Sequence, residues 1–204
     1  MRISTKRQKG SKSISDSINR NKRLLLHCCC APCTSYVLEC LESQYSISLL
    51  FYNPNIEPQA EYDKRKQELH KLLLKASLAK EVDFLECEYD NAVFNNAVLS
   101  LRNEPEGGER CRVCFELRLR ETAARARAGE YDIFATTLSV SPHKNAKMLN
   151  DIGLRLAGEY NIEFLRSDFK KSDGYKRSVE LSKSYSLYRQ GFCGCRSSNK
   201  GREY

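Results

Sequence analysis

Ten cysteines in a chain of 204 residues constrain its chemistry more than any other feature, and eight of them fall into three groups. Cys28, Cys29, Cys30 and Cys33 crowd one stretch, Cys111 and Cys114 lie three apart, and Cys193 and Cys195 flank Gly194. Cys40 and Cys87 stand alone, as small buried hydrophobes do. Three apart on a helix, Cys111 and Cys114 point off one face. Two cysteine pairs from separate elements make a four-thiolate site, which suits zinc or an iron–sulfur cluster. On spacing alone these two stand level. The adjacent thiols of Cys29 and Cys30 need an irregular backbone to act together, which a strand-to-helix turn provides.

Two other thiol chemistries compete. Cys30-Ala31-Pro32-Cys33 is a Cys-x-x-Cys at a helix start, where the dipole lowers a thiol pKa as in thiol–disulfide oxidoreductases. Two further adjacent cysteines are foreign to such a site, so metal binding is the better reading. Cys193-Gly194-Cys195 can close into a small, strained ring, a labile disulfide suited to electron exchange. Its alternative is two more metal ligands. His27, just before the first group, is a candidate to ligate a metal or tune a cluster, against the plainer reading of a satisfied core histidine. His143, Lys144, Lys170 and Lys171 follow two later strands and are candidates for substrate or nucleic-acid contact, although charged loops are commonly just solvated.

The elements that must position these residues alternate between strand and helix. Leu24–His27 reads as a first strand and Pro32 to Leu41 as its helix. Ser46–Tyr52 is an internal strand ending at the Asn53-Pro54-Asn55 turn, and Glu57–Ala79 a long amphipathic helix. Val82–Cys87 alternates as a third strand before a helix over Asn91–Leu101 and a polar loop. Arg110–Ala128 is rich in helix formers and stops at Gly129. Tyr131–Thr137 and Ile162–Leu165 supply the last two strands, around a helix over Asn145–Tyr160, and a final helix starts near Tyr175. This alternation predicts an α/β fold with a doubly wound, mostly parallel five-stranded sheet. Chemistry in such sheets sits beyond the carboxyl ends of the strands, where the cysteines after the first strand fall, although spacing alone does not show that the groups meet.

The net charge of +8 is concentrated at the start. Residues 1–23 carry eight Lys and Arg against Asp16 alone, with many Ser and Asn. Such a tail cannot bury a core and is expected to be disordered, with either nucleic-acid contact by counterion release or simple solubilisation as its role. The expected organisation is this tail, an α/β catalytic domain over residues 24–195, and a short basic tail over 196–204. With no long apolar run and no secretory signal, a soluble cytoplasmic protein is expected, which fits unpaired cysteines. No glycine-rich phosphate loop follows the first strand, which argues against ATP use.

Seven blocks of sequence resemble the cobalamin-independent epoxyqueuosine reductase family (QueH). They are Leu25-Leu26-His27-Cys28-Cys29-Cys30-Ala31-Pro32-Cys33, Phe51-Tyr52-Asn53-Pro54-Asn55-Ile56, Glu61-Tyr62-Asp63-Lys64-Arg65, Cys111-Arg112-Val113-Cys114-Phe115-Glu116-Leu117-Arg118-Leu119, Thr136-Thr137-Leu138-Ser139-Val140-Ser141-Pro142-His143-Lys144, Ser167-Asp168-Phe169-Lys170-Lys171 and Tyr188-Arg189-Gln190-Gly191-Phe192-Cys193-Gly194-Cys195. The resemblance implies a fold similar to adenine-nucleotide α-hydrolase-like (HUP) domains, without ATP or cobalamin. It implies an oxidoreductase of tRNA processing that reduces epoxyqueuosine to queuosine at the wobble base, the last step of queuosine biosynthesis. It implies a [4Fe-4S] cluster on Cys29, Cys30, Cys111 and Cys114, and a redox-active disulfide between Cys193 and Cys195 that relays electrons from an external donor. A second iron beside the cluster would have Cys33 as its candidate ligand, and Cys28 is expected to be the spare of its group. The rival readings are a zinc-stapled nucleic-acid-binding module and a thiol–disulfide oxidoreductase.

Overall fold

The computed structural model describes residues 22–78 and 81–198. The expected tail disorder lies outside the described residues, as does the end of the C-terminal tail. The tail boundary moves, however, because Lys22 and Arg23 belong to the first strand. They pair in register with Tyr45 and Ser46, and Lys22 Nζ reaches Glu163 at 2.7 Å.

Three consecutive leucines show how the layers form. Strand β1 (Lys22–His27) places Leu24 and Leu26 on one face of the sheet and Leu25 on the other, all fully buried. A strand apolar on both faces must be covered on both, as in parallel sheets. On the Leu24 face pack α1 (Ala31–Leu41) and α2 (Gln59–Lys75), with α6 (Gly174–Ser184) against α1. On the Leu25 face pack α4 (Glu109–Ala128), through Phe115, Leu119, Ala123 and Ala126, and α5 (Ala146–Tyr160), through Leu149, Ile152 and Leu156.

The sheet runs β3-β2-β1-β4-β5, and every pairing is parallel. Here β2 is Tyr45–Phe51, β3 Asp83–Glu86, β4 Ile133–Thr136 and β5 Glu163–Phe164. The chain winds outward through β2 and β3, then returns to the other side of β1 for β4 and β5. The strand order therefore reverses between β1 and β4, and a crevice opens beyond their carboxyl ends. One expected helix is interrupted: α3 covers only Asn91–Ala97, and after Val98 the chain tightens into a 3-10 turn at Leu99–Leu101. α2 is shorter than its periodicity predicts because Pro58 caps its start and Ser77, at φ 59°, turns the chain beyond its end.

Candidate active site

The turn after β1 is irregular because it ends a strand and starts a helix within three residues. Cys28 N–H still donates to Leu50 O at 3.0 Å, as the last bond of the ladder, and Asn53 Nδ2 holds Cys28 O at 2.9 Å. Cys30 is extended (φ −163°, ψ 149°) as the N-cap of α1, with Ala31 and Pro32 opening the helix. Alternation sorts Cys28 from Cys29, and the break from the strand at Cys30 turns its thiol to the side of Cys29. Cys28 points into the Leu24-side core, and its Sγ donates to Leu50 O at 3.4 Å. Cys29 and Cys30 face the α4 side, 3.9 Å apart through sulfur.

Helix α4 brings the second pair. Cys111 packs against the same core as Cys29 and Cys30, and its Sγ accepts from Gly107 N–H at 3.2 Å. Cys114, one turn further on, is buried beside Cys195, Phe94 and Val98. One more turn along α4, Arg118 is 1% exposed. Its Nη2 donates to Cys114 Sγ at 3.2 Å and its Nε to Cys114 O at 3.1 Å. Burial opposes its charge, but Cys114, Cys193, Cys29 and Cys111 together raise its pKa above the usual arginine range. One guanidinium is thus the shared neighbour of cysteines from all three sequence groups.

The third group arrives on the C-terminal segment, which α2 grips through a row of charged side chains. Arg65, 2% exposed, donates from Nε to Glu61 at 2.7 Å, from Nη1 to Cys193 O at 3.0 Å and from Nη2 to Phe192 O at 3.3 Å. Glu57 N–H donates to Gly194 O at 2.9 Å, and Tyr188 N–H to Glu68 at 2.8 Å. Gly194 sits at φ +114°, and a Cβ there would lie 3.0 Å from Ile56 and 3.2 Å from Arg65. The position requires glycine.

Cys193 and Cys195 are free thiols in this structure, not a disulfide. They divide one proton unequally. The hydrogen bond from Cys195, assisted against burial by Lys144, Arg118 and Arg65, holds Cys193 well below the usual thiol range. Cys195, as the donor, is raised well above it. Cys29 is raised by its hydrogen bond to Cys30 and by burial. Cys30 accepts that bond, which lowers it, yet its own bond to Cys33 and its burial push it up to about 11. The helix dipole expected to activate a Cys30/Cys33 dithiol is therefore outweighed. Burial pushes Cys114 to about 11 as well.

Cys29, Cys30, Cys33, His143, Lys144 and Cys193 share the wall of a cavity of about 430 Å³. Lys144 keeps its charge there: burial works against it, but Cys193 and Cys29 hold its ammonium above the usual lysine range. His143 is exposed at the rim, with Tyr175 and Arg189. The other candidates are placed elsewhere. Lys170 Nζ is committed to Asp168 at 2.9 Å and to Lys144 O at 3.3 Å, whereas Lys171 is exposed. His27 lies in the core with both ring nitrogens engaged. Nε2 is 3.1 Å from Tyr52 O, a pure acceptor, so Nε2 carries the proton and Nδ1 accepts from the Thr136 hydroxyl at 3.0 Å. Burial, then Arg118, lowers its pKa to about 3. That leaves no free nitrogen for a metal.

Arg65 and Arg118 are the site residues that sequence reasoning missed. Arg118 was findable, since it follows Cys111 and Cys114 at helical spacing. Arg65 resembled any exposed i, i+4 partner of Glu61.

The thiols of Cys29, Cys30, Cys111 and Cys114 fit a four-thiolate group in chemistry and charge. Two cations, the buried Arg118 and the half-buried Lys144, lie among them, and among the described residues neither forms an ion pair with a carboxylate. Such a setting awaits anionic sulfur. Among the described residues no three His, Cys, Asp or Glu side chains converge as a single-ion site.

The family model for epoxyqueuosine reductase QueH matches residues 24–201. An epoxyqueuosine reductase QueH of Streptococcus pyogenes is 44% identical over 174 residues, covering 84% of this chain and 68% of that protein. That of Staphylococcus epidermidis is 40% identical over 177 residues, 85% of this chain and 74% of its own. That of Thermotoga maritima is 35% identical over 172 residues, 84% and 88% respectively. With its cysteine groups gathered at the switch point of a parallel sheet and a match running nearly from end to end, the chain belongs to the epoxyqueuosine reductase QueH family of oxidoreductases.

Proposed function

We propose that this chain reduces the epoxide of epoxyqueuosine to the alkene of queuosine in a tRNA anticodon, using a [4Fe-4S] cluster held by Cys29, Cys30, Cys111 and Cys114. The observation that carries the reading is the meeting of all three cysteine groups around Arg118, beside a cavity of about 430 Å³. The cluster, when bound, supplies single electrons and a Lewis-acidic iron. Cys33, on the same wall, is the ligand we assign to an adjacent iron.

Opening the epoxide to an alkene takes two electrons and two protons, and the oxygen leaves as water. Closing the Cys193 thiolate and the Cys195 thiol into a disulfide releases two electrons and one proton, and Lys144 Nζ supplies the second proton, so one closure balances one turnover. An external donor then restores the dithiol. Lys144 Nζ holds a proton on the cavity wall, and Cys195 Sγ holds the one it shares with Cys193. The modified base must leave its stack to enter the cavity. We assign receipt of the base to Tyr175, Arg189 and His143 at the rim, and phosphate contact to the exposed Lys171 and to the basic residues of the N-terminal sequence. Among the described residues no helix is long and apolar enough to cross a membrane. We assign the protein to the cytoplasm, where the thiols stay reduced.

Anaerobic reconstitution of wild type, Cys111→Ala and Cys195→Ala tests the reading. Wild type should show a broad visible band that bleaches with dithionite, and Cys111→Ala should lose iron and reduction together. Cys195→Ala should keep the colour and lose turnover. A colourless wild type with one tight zinc, or loss of iron from Cys195→Ala, would refute the respective assignment.

A further inference from the structure

A buried guanidinium ordinarily faces a carboxylate, because an uncompensated charge in a protein interior is strongly destabilising. Arg118 lies at that depth with no carboxylate partner among the described residues. Its Nε and Nη2 donate to Cys114 O and Cys114 Sγ, and the ring of Phe115 lies 5.7 Å from its Cζ. The acidic side chains of α4 turn outward to other arginines: Glu109 to Arg112, Glu116 to Arg120 and Arg155, Glu121 to Arg125. The helix therefore had carboxylates to offer and directed them away. The groups that favour its charge are the sulfurs of Cys114, Cys193, Cys29 and Cys111, with the Lys144 ammonium as a second cation nearby.

Resting on the cluster assignment above, we propose that Arg118 is a positioning residue for the iron–sulfur group, supplying its counter-charge and a hydrogen bond to the Cys114 sulfur, and so raising its reduction potential. A thiolate-held cluster becomes one unit more negative on reduction. A fixed cation close by stabilises the reduced form more than the oxidised one, and an N–H to a ligand sulfur acts in the same direction. The effect is strong here because Arg118 is shielded from water. Arginine, unlike lysine, reaches the carbonyl and the sulfur of one residue with its planar fork and does not lose its proton.

The holoenzyme, reconstituted anaerobically, separates charge from hydrogen bonding. Iron per chain and the midpoint potential from a redox titration followed by electron paramagnetic resonance would be measured for wild type, Arg118→Met, Arg118→Gln and Arg118→Lys. Arg118→Met should bind iron at the wild-type level and shift the reduction equilibrium at least tenfold toward the oxidised form, 59 mV for a one-electron couple. Arg118→Gln, which keeps an N–H without the charge, should fall between Met and wild type, and Arg118→Lys should stay nearest wild type. If the Met variant does not fold, the Gln and Lys variants decide. Full iron with one common potential in all variants overturns the proposal and leaves the cluster assignment standing. A colourless, zinc-loaded wild type overturns both, by a different readout.

Discussion

Replacing Arg65 by methionine should uncouple the C-terminal cysteine loop from the rest of the site. The side chain makes three hydrogen bonds, to Glu61 and to the carbonyls of Cys193 and Phe192, at 2.7, 3.0 and 3.3 Å. Methionine fills a similar volume and makes none of them. Glu61 is 9% exposed and would keep only the Tyr188 hydroxyl, 3.2 Å from Oε2. Removing one partner of a buried ion pair costs about 3–5 kcal/mol. The two carbonyl bonds from a charged donor, at about 1.5 kcal/mol each, fall in the same range and are part of the same loss. Urea unfolding of Arg65→Met should therefore give a stability lower by about 3–5 kcal/mol. The double variant Glu61→Gln, Arg65→Met removes the stranded carboxylate and should recover part of that loss. Amide exchange would locate the effect: the Glu57 N–H bonded to Gly194 O should lose protection in Arg65→Met ahead of the strands of the sheet. A single variant within about 1 kcal/mol of wild type, the value expected of an exposed pair, would refute the reasoning. So would a double variant no more stable than the single one.

Gly194→Ala should place a methyl against Ile56 and Arg65 at a backbone angle that alanine resists, costing about 1–3 kcal/mol by thermal unfolding, and an unchanged midpoint would show the loop has slack. In the metal-free protein, Cys193 should be the cysteine that iodoacetamide alkylates at the lowest pH, because its proton sits on Cys195. Its rate should rise with pH through a midpoint well below 9 and then level off. A midpoint at or above 9, or loss of the early phase from Cys29→Ala in place of Cys193→Ala, would exclude this proton arrangement.

How much was legible follows from the range of each cause. The leucines before His27 announce a strand buried on both faces, since alternation and continuous apolarity are local properties. Alternation accounts for Cys28 and Cys29 on opposite sides, but Cys30 joins Cys29 on the α4 side only because the backbone breaks from the strand there. Lys170 was not legible, because its commitment to Asp168 and Lys144 O depends on how two loops approach. His27 stood between two readings until the carbonyl of Tyr52 fixed its tautomer. The break in α3 was also hidden, since nothing in Asn91–Leu101 forbids a continuous helix. The buried pair Glu61–Arg65 has the same spacing as surface pairs such as Lys147–Asp151, and only the arrival of residues 188–194 makes it interior.

That late arrival bears on how the protein is made. During synthesis, both thiol pairs assigned to the cluster leave the ribosome before the segment that carries Cys193 and Cys195. The sheet order needs only residues through β5 to close, so the crevice can form with one wall still missing. Residues 188–195 then dock onto a finished surface of α2, where Arg65 and Glu61 are exposed until that moment. Loading of the proposed cluster would thus have an interval in which the thiols after β1 and on α4 are not yet covered by the last cysteines.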